Sequence, residues 1–160
     1  MHSRHIRAAA IMLTLALTAA AHATSKETTI MHASGDFDVK MGPQPTTPGF
    51  EATGVGRQTI DKHFHGDLEG SSQGEMLATM TETQGSGAYV ALEKVSGTLH
   101  GKRGTFIFVH SATMHRGVPD WSVKVVPDSG TGELVGLSGA MVIHIDEKGK
   151  HTYTFDYELP

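Results

Sequence analysis

The sequence predicts an all-β domain that closes into an eight-stranded antiparallel barrel, placed after a cleavable N-terminal signal peptide. Three observations predict it. Glycine makes up 19 of 160 residues, and the glycines punctuate short apolar segments instead of forming a low-complexity tract. Beyond residue 23 no window holds a helical period, although Glu75–Thr83 has a composition that tolerates helix. The unit Gly-x-Leu-x-Gly occurs three times, at Gly66–Gly70, Gly97–Gly101 and Gly132–Gly136, each time running into a β-rich stretch.

The elements follow in chain order. Arg4 and Arg7 precede the apolar run Ala8–Leu17, and Ala21-His22-Ala23 supplies small residues at a cleavage position. These are the three parts of a secretory signal peptide, and the run is too short to span a bilayer. The expected product is one domain over residues 24–160, exported to the periplasm or secreted. It has no second apolar run long enough for a membrane span, and no cysteine for a disulfide or a lipid anchor.

Thr29–Lys40 is the opening strand, ended by the loop of Pro43, Pro45 and Pro48. Gly56–His65 sets Ile60 and Phe64 on one face and Asp61, His63 and His65 on the other. Glu75–Thr83 and Ala88–Ser96 flank the turn at Gln84–Gly87. Thr105–Ser111 is a nearly unbroken apolar run, and Trp121–Val126 follows the loop at Arg116–Pro119. Ala140–Asp146 and His151–Glu158 close the chain around the turn Glu147-Lys148-Gly149.

In the repeated unit, residues i, i+2 and i+4 of a strand share a face, so each leucine is flanked by bare backbone. Such positions let a strand bend or approach another closely. Gly66, Gly70, Gly97, Gly101, Gly104, Gly132, Gly136 and Gly139 are therefore read as structural glycines, the corner pieces of three strand pairs. Repeated bends let a sheet roll shut, and eight strands leave an interior that side chains fill or that holds one small ligand.

Several segments look like chemistry and fail on context. Gly130, Gly132 and Gly136 miss the dinucleotide spacing, and Gly97–Gly101-Lys102 is one residue short of a P-loop; strands stand where each motif needs a helix. Gly70-Ser71-Ser72-Gln73-Gly74 satisfies Gly-x-Ser-x-Gly but sits among antiparallel strands, not at a strand-to-helix elbow. Thirteen basic against seventeen acidic residues, with no basic cluster, exclude a nucleic-acid surface. No motif asks for a cofactor. His63 and His65 share a strand face and could share a metal, with a third ligand required from a neighbouring strand.

Strand alternation groups Tyr89 with Glu93, and Phe106 with Phe108 and His110. If those faces point inward, Tyr89, Glu93 and His110 meet in an apolar pocket. Burial there would raise the carboxyl pKa, as acid–base catalysis uses. The alternative is a structural ion pair of Glu93 with a base such as Arg103. Phe106, Phe108 and Trp121 complete the ligand-cavity candidates. Both faces of Phe106–Val109 and much of Met141–Ile145 are apolar, which points to a homo-oligomer or other cover outside.

GDLEG, Tyr89 with Glu93, GTLHGKRGTF, VVPDSGTGELVGLSG and the ending Tyr153–Tyr157 resemble a bacterial family of domains of unknown function, over nearly all of residues 30–160. That family is similar to the allene oxide cyclase barrels, and SGTGELVGLSG resembles the glycine-rich segment of dirigent proteins. The resemblance implies an eight-stranded barrel, often oligomeric, with a cavity for a small or hydrophobic molecule, and brings no activity with it. Three functions follow as expectations: a binder of a small apolar molecule, an isomerase or cyclase using Glu93, Tyr89 and His110, or an assembly protein with a filled barrel.

Overall fold

A computed structural model describes residues 29–160; the predicted signal peptide lies outside the described residues. Eight strands follow in order: β1 (Met31–Gln44), β2 (Gly56–Gly66), β3 (Leu68–Met80), β4 (Gly87–Leu99), β5 (Lys102–His115), β6 (Val118–Val125), β7 (Ser138–Ile145) and β8 (His151–Glu158). Each pairs antiparallel with the next, and β8 returns to β1, so the sheet closes into a barrel. Gly35 marks the closure, paired with Gly66 on one side and Tyr153 on the other. Among the described residues no helix is long and apolar enough to cross a membrane.

Alternation decides which side chains enter the barrel. On β4, Ala91, Glu93, Val95 and Leu99 are buried while Val90, Leu92 and Lys94 are exposed. The helix-tolerant Glu75–Thr83 falls mostly within β3, where cross-strand pairing outweighs its weak local preference. β1 runs past its predicted end, through Pro43 to Gln44. Beyond Phe37 it pairs with β2 alone, so Pro43 stands on a free edge, where a missing N–H is tolerated.

The repeated unit divides into two uses. The first two copies lie in strands and tight turns, and Gly70 pairs with Gly97 across β3 and β4. A Cβ on Gly70 would come within 2.7 Å of the Gly97 Cα, so this close crossing of backbones requires glycine. The third copy departs from the predicted strand hinge. Gly132–Leu134 forms one turn of 3-10 helix between β6 and β7.

The loop carrying that turn replaces a strand. Where β6 no longer accompanies β5, Thr131 donates its backbone N–H to Thr105, and Ser129 and Thr131 side-chain oxygens accept from Ile107 and Thr105. The edge of β5 is thereby satisfied. Leu68, Leu99 and Leu134, the middle residues of the three copies, all reach zero exposure at the same end of the barrel, joined by Leu137. They plug it.

Above the plug the lumen is filled by aromatic rings. Phe106 meets Phe108 edge-on at 4.9 Å, Phe155 lies 5.5 Å from Phe108, and Tyr157 lies 5.3 Å from Phe155. The Tyr153 hydroxyl accepts the Leu68 backbone N–H, and the Tyr157 hydroxyl shares a 2.7 Å hydrogen bond with His100. This half is a packed core.

Candidate functional site

The opposite half is hollow. Its walls come from Val39 and Met41 of β1, Ile60 of β2, Met76 of β3, Tyr89 of β4, Trp121 of β6 and Ile143 and Ile145 of β7. They enclose a cavity of about 360 Å³, at the lower end of the ~300–1,000 Å³ usual for ligand pockets. Lys62 and His110 form its polar floor, beside Phe37, and His151 of β8 also lines it, its ring 5.0 Å from that of Phe37.

Glu93 lies directly beneath that floor, with no exposure to solvent. Lys62 Nζ donates to its Oε2 at 2.8 Å, and Ser72 Oγ donates to its Oε1. His110 Nε2 approaches the same Oε2 to 2.8 Å, at an angle too poor for a well-formed hydrogen bond. Four strands thus deliver one cluster: Lys62 from β2, Ser72 from β3, Glu93 from β4 and His110 from β5. Gly74 pairs with Glu93 across the sheet, and a Cβ there would come within 2.8 Å of the Glu93 Cα.

The electrostatics differ from the sequence expectation. Burial alone would raise the Glu93 carboxyl, but His110 and the Lys62 ammonium overcome it and hold the group at about 2. The expected elevated carboxyl is therefore a buried carboxylate. Its partner is Lys62, not Arg103, which is exposed at the start of β5 and whose backbone N–H donates to Glu133. The Tyr89 hydroxyl is raised by burial and then by the nearby Glu93 charge.

The predicted site residues separate by height in the barrel. Tyr89, His110 and Trp121 line the cavity, and Glu93 supports its floor. Phe106 and Phe108 do not line it: they are buried in the packed half. His63 and His65 are exposed on the outer face of β2, His65 facing Asp38 at 3.7 Å and Glu69 at 3.8 Å. Among the described residues no three His, Cys, Asp or Glu side chains are grouped to hold a metal ion.

Sequence reasoning missed Lys62 and met Ser72 only as the central serine of the rejected Gly-x-Ser-x-Gly match, though both carry a signal as inward residues. Lys62 stands between Ile60 and Phe64 at strand spacing, so the alternation that puts those two inside puts the lysine inside as well. Ser72 shares its face with Leu68 in the same way.

A second hollow, of about 410 Å³, opens in the barrel wall between β6 and β7. These strands pair only at Val123–Met141 and Lys124–Ala140. Beyond that point Pro119 and Trp121 face Ile143 and Ile145 across an unzipped seam, and Trp121, Ile143 and Ile145 border both hollows.

A family model described as "Protein of unknown function (DUF3224)" matches residues 33–157. The chain belongs to the DUF3224 family. A solved structure of a DUF3224 protein of unknown function from Shewanella oneidensis MR-1 is 42% identical, covering 82% of this chain and 98% of that one, with a TM-score of 0.76. No curated protein matches the chain. The DUF3224 match spans every strand of the barrel at least in part, and so includes both the plug and the hollow half.

Proposed function

We propose that this DUF3224 protein is an exported barrel that binds one small, largely apolar molecule in the open half of its lumen. The observation that carries the reading is the cavity of about 360 Å³, lined mostly by apolar side chains with a few polar groups, Lys62, His110 and His151, among them. A barrel serving only as a filled scaffold would have no use for such a hollow. The reading agrees with the allene oxide cyclase-like resemblance of the sequence, which implies a lumen of this kind.

An isomerase or cyclase at Glu93, Tyr89 and His110 is less favoured. A carboxylate held at about 2 is a weak base near neutral pH, and acid–base catalysis is most effective when the catalytic pKa lies near the working pH. Glu93 reads instead as the counter-ion that keeps Lys62 in place under the cavity.

Native mass spectrometry of protein purified from the periplasm should show a co-purified small organic molecule. Titration with apolar probes should change the emission of Trp121, the sole tryptophan. A flat titration across a varied probe set, with no molecule retained, would discard the reading. The proposal includes self-association through the exposed outer pairs Leu77–Val90 and Leu92–Val109, which sedimentation would report as an assembly larger than one chain.

A further inference from the structure

The shape and chemistry of the cavity floor say more about the ligand than that it is apolar. Lys62 is 5% exposed, yet it borders the cavity. Its ammonium carries three N–H donors, and one of them is given to Glu93. The other two meet no hydrogen-bonding oxygen among the described residues. What they have nearby is the face of Phe37, its centroid 4.8 Å from Nζ, and the more distant ring of Phe64 at 5.7 Å. A cation over a ring gains less than a cation donating to oxygen, so the floor has donor capacity left over.

The charge account limits which acceptor fits. The positive charge of Lys62 is matched by the negative charge of Glu93, 2.8 Å away, and His110 Nε2 stands at the same distance from the same carboxylate oxygen. A ligand carboxylate at the floor would place a second anion close to the Glu93 carboxylate that Lys62 and His110 already face. An uncharged oxygen acceptor can use the spare N–H donors without that repulsion. Above the floor the lining is mostly apolar out to the rim at Met41 and Ile145, with Tyr89 and His151 as polar-tipped exceptions, so the rest of the molecule is largely hydrocarbon-like.

Resting on the binding reading above, we infer that the ligand is a small neutral carbonyl compound, a ketone or ester, whose oxygen accepts from Lys62 Nζ while its apolar body fills the hollow half. The two thioether side chains, Met41 and Met76, line the wall and adapt to the body's shape. Lys62 is a binding residue in this account. Ser72 and Glu93 position it from below.

Three seven-carbon probes test this by Trp121 emission: 2-heptanone, heptanoate and heptane. The expected order puts 2-heptanone ahead of heptanoate. In the double variant Lys62→Met/Glu93→Leu, which removes the ion pair whole, 2-heptanone should weaken about tenfold or more while heptane holds its affinity. Isotope-edited infrared of carbonyl-labelled 2-heptanone on the unaltered protein needs no variant. The bound C=O stretch should fall below its position in alkane solvent, as for any carbonyl accepting a strong hydrogen bond. Heptane and 2-heptanone binding with an unshifted stretch would overturn the carbonyl inference and leave the apolar-cavity reading standing. Heptanoate binding tighter than 2-heptanone would overturn the neutral-ligand inference alone. Failure of all three probes to bind would overturn both.

Discussion

The two ends of this barrel are built from the same strands and differ in what crosses the axis. At the closed end Leu68, Leu99, Leu134 and Leu137 converge beneath a stack of Phe106, Phe108, Phe155 and Tyr157, all of them buried. At the open end the inward positions hold Val39, Met41, Ile60, Met76, Ile143 and Ile145, which line the wall without filling it. The difference lies in the connections. The glycine-bearing turns and the 3-10 turn at Gly132–Leu134 fold leucines into one end, whereas β6 and β7 part company at the other. The packed core lies in the first half and the hollow in the second, with the Glu93 cluster at the boundary between them.

That contrast is most directly broken by deleting a ring from the packed half. Phe155→Ala should lower unfolding free energy by about 3–5 kcal/mol, read from the urea midpoint, because the closed end cannot collapse around the void. At the boundary, Lys62→Met alone should cost about 3–5 kcal/mol by stranding a buried carboxylate. The double variant Lys62→Met/Glu93→Leu should recover most of that loss, and a double as unstable as the single would show that the pair is not the unit.

The same boundary should respond to acid. Glu93 falls from the 4.5 of an unperturbed glutamate to about 2 in the folded protein. Its stabilising contribution is therefore complete above about pH 4.5 and is lost as pH falls through about 2. A lowering of this size corresponds to about 3 kcal/mol. Urea midpoints measured across that window should slope less steeply in Glu93→Gln than in the parent.

Smaller effects sharpen the comparison. Gly97→Ala places a methyl 2.8 Å from the Gly70 Cα, so the crossing must open, at about 1–3 kcal/mol by thermal or urea unfolding. Ile145→Ala at the open rim should change stability by less than about 1 kcal/mol while measurably weakening apolar probes by Trp121 emission. A loss as large as that of Phe155→Ala would mean that the open half is part of the core after all.

Much of this molecule is legible one strand at a time. Val95, Leu99, Phe106, Phe108, Phe155 and Tyr157 lie where period-two alternation places them, and Tyr89, Glu93 and His110 share the inner surface for the same reason. The face of Lys62 was equally legible, but a charge between two core residues reads as a surface residue until its partner is known. That partner is 31 positions away. No local signal in β2 announces Glu93, and none in β4 announces Ser72.

The sequence by itself determined the strands, which residues share a face and the glycines placed for close backbone approach, because each of these depends on a residue and its near neighbours. Which face turns inward came from the closed barrel. Tertiary structure alone decided which end of the tube is stopped, that the third glycine unit becomes a helical turn replacing a strand, and that burial of Glu93 is outweighed by Lys62 and His110. Those outcomes depend on which side chains arrive at the same height from different strands. Register sets that height, and register belongs to the closed barrel rather than to any single segment.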